Sequence, residues 1–122
     1  MKVQDLSDRR LEYWVGKARG LREVKWEDGV PLEYGEFKPE LWHWSYYEYA
    51  TSWYCTGPLM KDIEELYFRR AFHSEPFEGY VCEIGRVGVH VGANSKHGET
   101  KLIAFCRAYV AAKFGDEFPN EP

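Results

Sequence analysis

The chain has 122 residues, of which 44% are hydrophobic and 17% aromatic, and a formal net charge of -4. That length suits one domain able to bury a core without staples, and the acidic balance removes any global field toward nucleic-acid backbone or an anionic membrane. Cys55, Cys82 and Cys106 are odd in number and form no CxxC pair, which argues against a disulfide framework and against a closed zinc site.

The start, "MKVQDLSDRR", carries charge where a signal peptide needs an apolar region, and the longest apolar runs are far shorter than a membrane span. The chain therefore reads as soluble and intracellular. In "LSDRRLEYWVGKARG", Leu11, Trp14, Val15 and Ala18 recur at i, i+3, i+4 and i+7. That is an amphipathic helix, with Ser7 placed to cap it and Gly20 to close it. "LREVKWEDG" alternates Val24 and Trp26 with charges and runs into Asp28-Gly29, a strand and its turn, and "PLEYGEF" continues as a second extended piece.

Residues 41 to 58, "LWHWSYYEYATSWYCTGP", concentrate seven tryptophan and tyrosine rings with almost no aliphatic residue. In an extended segment Trp42, Trp44 and Tyr46 share one face and His43, Ser45 and Tyr47 the other. A short helix is expected from Gly57-Pro58, with Leu59, Ile63 and Leu66 on one stripe and Trp53 packed onto it. "LYFRRAF" is read as a strand. "GYVCEIGRVGVHVG" is a hairpin reversing at Gly85-Arg86. "TKLIAFCRAYVAAKFG" is a largely buried helix from the capping Thr100 to Gly115, and residues 116 to 122 are a polar tail. These elements make a single α+β domain over residues 1 to 122. A small, mostly antiparallel sheet is packed by the N-terminal and C-terminal helices, and one short central helix completes it. Trp14 and Tyr109 are expected to be buried, with both terminal helices on the same sheet.

Between the hairpin and the last helix, "GANSKHGET" (92 to 100) reads as a loop where Lys96 and His97 can meet an anion at a helix start. The competing reading is a plain connection using Gly, Asn and Ser for turn geometry. It is no phosphate loop: its glycines are separated by five residues and Glu99 stands where lysine is required. His90 and His97 lack a third metal ligand, Cys106 falls on the buried helix, and no carboxylate pair marks an acid and a base. No catalytic residue, metal site or cofactor is assigned. The rings remain, and a ring stacked on a base contributes ~1 to 3 kcal/mol. The alternative is that they fill a core poor in aliphatics. The expected division packs Trp42, Trp44 and Trp53 mainly inward and leaves some of Tyr47, Tyr49 and Tyr54 for a ligand or partner.

The closing "KLIAFCRAYVAAKFGDEFPNE", the opening "LSDRRLEYWVGKARG" and the central "YATSWYCTGPLMKDIE" resemble, in order, segments of the NinX-like phage protein family. The most specific parts are Tyr13-Trp14-Val15, Trp53 with Gly57-Pro58, and Ala108 to Glu117. Lys101 and Ala50 stand where members often carry proline, and Ser52 where an acidic residue is common. The resemblance implies a small phage protein working in the cytoplasm of the infected host, and it brings no catalytic residues with it. The leading expectation is a non-enzymatic accessory protein that binds a host component, with countering host defence as one purpose. A second is a nucleotide-like signal molecule bound by ring stacking beside the 92 to 100 loop, and a small hydrolase is the least supported. The residues assigned to ligand or partner are Tyr47, Tyr49, Tyr54, Arg86, Lys96 and His97. Partners expected are a host protein or a small nucleotide-like molecule, without membrane or nucleic acid.

Overall fold

The computed structural model describes residues 2–38, 41–61, 63–87 and 90–116. After a short 3-10 turn at Val3–Asp5, helix α1 spans Asp8–Arg19. Its apolar stripe is legible in burial: Leu11, Val15 and Ala18 are buried, while Trp14 is only half-buried, edge-on to the Tyr13 and Phe114 rings. Ser7 takes the N-cap position without a side-chain hydrogen bond, and Gly20 closes the helix in the left-handed region at φ 68°. Strands β1 (Glu23–Glu27) and β2 (Val30–Lys38) are joined at Asp28-Gly29, both at positive φ, the two-residue hairpin turn that matches strand twist. β3 (Leu41–Ser45) adds to β2 and completes a three-stranded antiparallel sheet.

Helix α2 spans Trp53–Met60, earlier than the sequence suggests. The Ser52 hydroxyl accepts from the Cys55 amide at 3.4 Å, so the cap sets the start and Pro58 falls inside the helix. A capped first turn outweighs the preference of proline for that position, and the helix ends two residues after it. Ile63 therefore lies beyond the helix, and Leu66 opens strand β4 (Leu66–Arg70). β5 (Tyr80–Val87) pairs with β4 on one side and with β6 (His90–Gly98) on the other. Gly85-Arg86 is not the reversal. It marks a register shift within β5, where the Gly85 amide leaves the ladder to donate to the Glu65 carbonyl at 2.9 Å. The expected 92 to 100 loop is mostly strand, since β6 stays paired to Gly98 opposite Tyr80.

Helix α3, Lys101–Phe114, is capped by the Thr100 hydroxyl, which accepts from the Ile103 amide at 3.1 Å. A Cβ on Gly98 would lie 2.6 Å from the Ala104 nitrogen, so the first turn of α3 closes over the end of β6 only because glycine stands there. The α+β class stands, but the expected single sheet is two three-stranded sheets. α1 packs on β1 and β2, α3 packs on β5 and β6, and the two helices meet each other rather than sharing a sheet. Tyr109 is buried as expected. Among the described residues the core runs from Val3 and Leu6 through α1, Tyr49, α2 and β5 to nearly the whole of α3. No helix is long and apolar enough to cross a membrane among the described residues.

Candidate functional site

Two buried carboxylates organise the segment after β3. Glu12 on α1 accepts from the Tyr46 hydroxyl and, at 3.3 Å, from the Ala50 amide. Glu33 on β2 accepts from the Tyr49 hydroxyl at 2.7 Å and faces Arg22 at 3.7 Å. A Cβ on Gly16 would lie 2.8 Å from a Glu33 oxygen, so α1 approaches this carboxylate through a glycine. Burying a charge is costly unless donors replace its water. Burial pushes both carboxyls above their ordinary range, opposed at Glu12 by the Tyr46 and Ala50 bonds and at Glu33 by Tyr49 and the arginines. Burial and the adjoining Glu12 likewise push the Tyr46 hydroxyl up to about 12. Thr56, fully buried, donates to the Tyr49 carbonyl at 2.5 Å and ties α2 to the same segment.

Above this scaffold lies a cleft of about 970 Å³ between the start of α1, residues 46 to 51 and the first turns of α3. Arg9, Arg10 and Arg107 line it together with the rings of Trp26 and Tyr46 and the carboxylates of Asp8, Glu12 and Glu99. The Arg9 guanidinium lies 5.9 Å from the centre of the Tyr46 ring. Arg107 is held in place by donating to the carbonyls of Leu6 at 2.8 Å and His97 at 2.7 Å. A neighbouring hollow of about 490 Å³ shares Ala50, Thr51, Glu99 and Ile103 with the cleft and adds Trp53, Tyr80 and Lys101. A third, about 790 Å³, shares Tyr80 and Glu99 with the second and adds Arg70, Phe72 and His73. Such combinations of ring faces with guanidinium donors suit planar ligands carrying negative charge.

The expected site residues do not gather here. Tyr49 is fully buried, so its ring faces core and not a partner. Tyr47 is half-buried and stacked on Tyr49 with centroids 5.9 Å apart. Tyr54 is 92% exposed on α2, and Trp53, expected inward, is 53% exposed beside it because the helix starts earlier and turns both rings outward. The Lys96 ammonium pairs with Asp116 at 2.9 Å, and the His97 ring stacks on Phe77 at 3.8 Å, so both serve the fold around β6. The side chains of Trp42, Arg86 and His90 lie outside the described residues, as does the tail beyond Asp116.

Sequence reasoning missed Glu12, Glu33, Arg9, Tyr46 and Tyr80. A signal existed for the first: Glu12 and Gly16 sit four apart, each one position past Leu11 and Val15, so both flank the apolar stripe. Cys82 and Cys106 are free and buried, and burial pushes both thiols up, to about 12 for Cys82. Among the described residues no three His, Cys, Asp or Glu side chains are placed together to hold a metal ion. A family model described as "Bacteriophage P22, NinX" matches residues 2–113 of the chain. No curated protein matches it.

Proposed function

The chain belongs to the bacteriophage P22 NinX family, and on that footing we propose that it is a non-enzymatic accessory protein that binds a host component, a planar anionic molecule of nucleotide type. The single observation that supports this reading is the cleft in which Arg9, Arg10 and Arg107 stand beside the Tyr46 and Trp26 rings. A base stacks on a ring, and phosphate oxygens accept from guanidinium groups. Binding without turnover is favoured because Glu12, the cleft's buried carboxylate, is engaged in holding the segment after β3: one oxygen takes the Tyr46 hydroxyl and the other the Ala50 amide. A general base needs a free acceptor within reach of a substrate proton. The protein would then act in the cytoplasm of the infected cell by holding a host signal out of circulation.

The test is calorimetric titration of the purified chain with adenosine monophosphate, beside Arg9→Ala. Arg9 is exposed, so the variant keeps its melting temperature while its affinity falls by about tenfold, the loss of one charge-assisted contact. Absence of heat with the parent protein, confirmed by equilibrium dialysis, sinks the reading. A second reading, docking of a host protein, is favoured by one observation: Trp53 and Tyr54 are adjacent exposed rings on the first turn of α2. It requires that Trp53→Ala with Tyr54→Ala abolish a host contact that Arg9→Ala leaves intact.

A further inference from the structure

Glu99 lines all three hollows, Tyr80 lines two of them, and Ala50, Thr51 and Ile103 join the other pair. The hollows are therefore one groove running around the start of α3. Each end of it carries a ring with cations over it. At one end Arg9 lies over Tyr46. At the other, Tyr80 has the Arg70 guanidinium 5.5 Å and the Lys101 ammonium 5.6 Å from its centroid. Among the described residues the close ion pairs lie elsewhere, at Arg22, Lys25, Arg69 and Lys96; of the station cations Arg9 feels the nearby Glu12 carboxylate, while Arg70 and Lys101 make no close ion pair. Between the stations Glu99 offers an acceptor and Trp53 a third ring face.

Resting on the nucleotide reading of the cleft, we propose that the groove takes a dinucleotide: two bases, one near Tyr46 and one near Tyr80, with phosphate oxygens meeting Arg9 at one end and Arg70 and Lys101 at the other. Glu99, at the junction, accepts from amino or hydroxyl groups of the ligand. A mononucleotide fills one station only. A long single strand is disfavoured by the net charge of -4, which repels phosphates beyond the groove. Linking two units that each find a station raises affinity without any new contact, because the second binds at high effective concentration.

The probes are adenosine monophosphate, the linear diadenylate pApA, cyclic diadenylate and a hexa-adenylate, titrated into the parent chain and into Arg70→Ala and Lys101→Ala. Both substituted side chains are exposed, so melting temperatures report that the fold is kept. The expected result is that one of the two diadenylates binds at least about tenfold tighter than the monophosphate. Whichever form binds tighter identifies the source as linear or cyclic. Arg70→Ala and Lys101→Ala then reduce that advantage while monophosphate binding persists at the Arg9 station. Equal affinities for mono- and diadenylates, with both variants silent, overturn the two-station groove and leave the cleft as a mononucleotide site. Tighter binding of the hexa-adenylate than of either dinucleotide also overturns it. Failure of every probe removes the nucleotide reading itself.

Discussion

Replacing Tyr49 by Phe removes one atom from the buried scaffold beneath the cleft and leaves the ring in place. The hydroxyl donates to Glu33 at 2.7 Å and receives the Arg19 guanidinium at 3.5 Å, in a site with no solvent access to the tyrosine. A hydrogen bond to a charged group is worth about 1.5 to 3 kcal/mol, and here its loss also strands part of a buried carboxylate. Taking about 2 kcal/mol, and about 2.1 cal/mol/K of unfolding entropy per residue, a 122-residue chain should melt about 8 °C lower. The loss should depend on pH in a definite direction. Tyr49 stabilises the charged form of Glu33, so its removal raises an already raised carboxyl further. The deficit is then present above the folded-state pKa and fades as acid protonates Glu33 in the native state. Differential scanning calorimetry of parent and variant between pH 7 and pH 5 measures both effects. A melting temperature within about 1 °C of the parent at pH 7, or a deficit that grows in acid, would refute the buried Tyr49–Glu33 bond. Loss of ligand binding at unchanged stability would instead return Tyr49 to the surface role that its sequence context suggests.

The parent itself should lose stability as pH rises above 4.5 through the raised folded-state values of Glu12 and Glu33, because the native state holds protons that the unfolded chain releases; Glu12→Gln should flatten that slope in urea titrations. Glu75 contributes oppositely and in a separate window, since Arg69 holds its carboxyl down at about 2, so its support fades only as pH falls below 4.5. Gly98→Ala should cost about 1 to 3 kcal/mol, read from the urea midpoint, because the new methyl meets the Ala104 nitrogen at the start of α3. Trp53→Ala should change the melting point little, within about 0.5 kcal/mol, as befits an exposed ring; a loss comparable to that of a core tryptophan would contradict its outward placement.

The terminal helices were legible because each carries its own signals: the Leu11, Val15, Ala18 stripe with Gly20 behind it, and Thr100 and Gly115 bracketing α3. The Asp28-Gly29 turn was equally plain, since the two-residue loop and its strands are contiguous. What failed depended on partners distant in sequence. Residues 94 to 98 have loop composition, yet their backbone groups are paired by β5, and ladder hydrogen bonds override a weak strand propensity. Tyr49 looks like its neighbours until Glu33 and Thr56 are brought against it. The candidate cleft was illegible for the same reason: Arg9, Tyr46 and Arg107 come from three parts of the chain and meet only through the α1–α3 contact.

The Val3 amide donates to the Asp116 carbonyl at 3.0 Å, and Val3 and Leu6 belong to the same core as α3. During synthesis the first residues therefore leave the ribosome long before their partners exist. The hairpin of β1 and β2 can form as soon as it emerges and take α1 against it, but the Leu11 and Val15 stripe is fully covered only when the last helix arrives. Closure of so large a loop is slow compared with local pairing. A nascent chain stalled before residue 101 would thus present Leu11, Val15 and Leu6 to chaperones, and release of α3 would be the event that withdraws them.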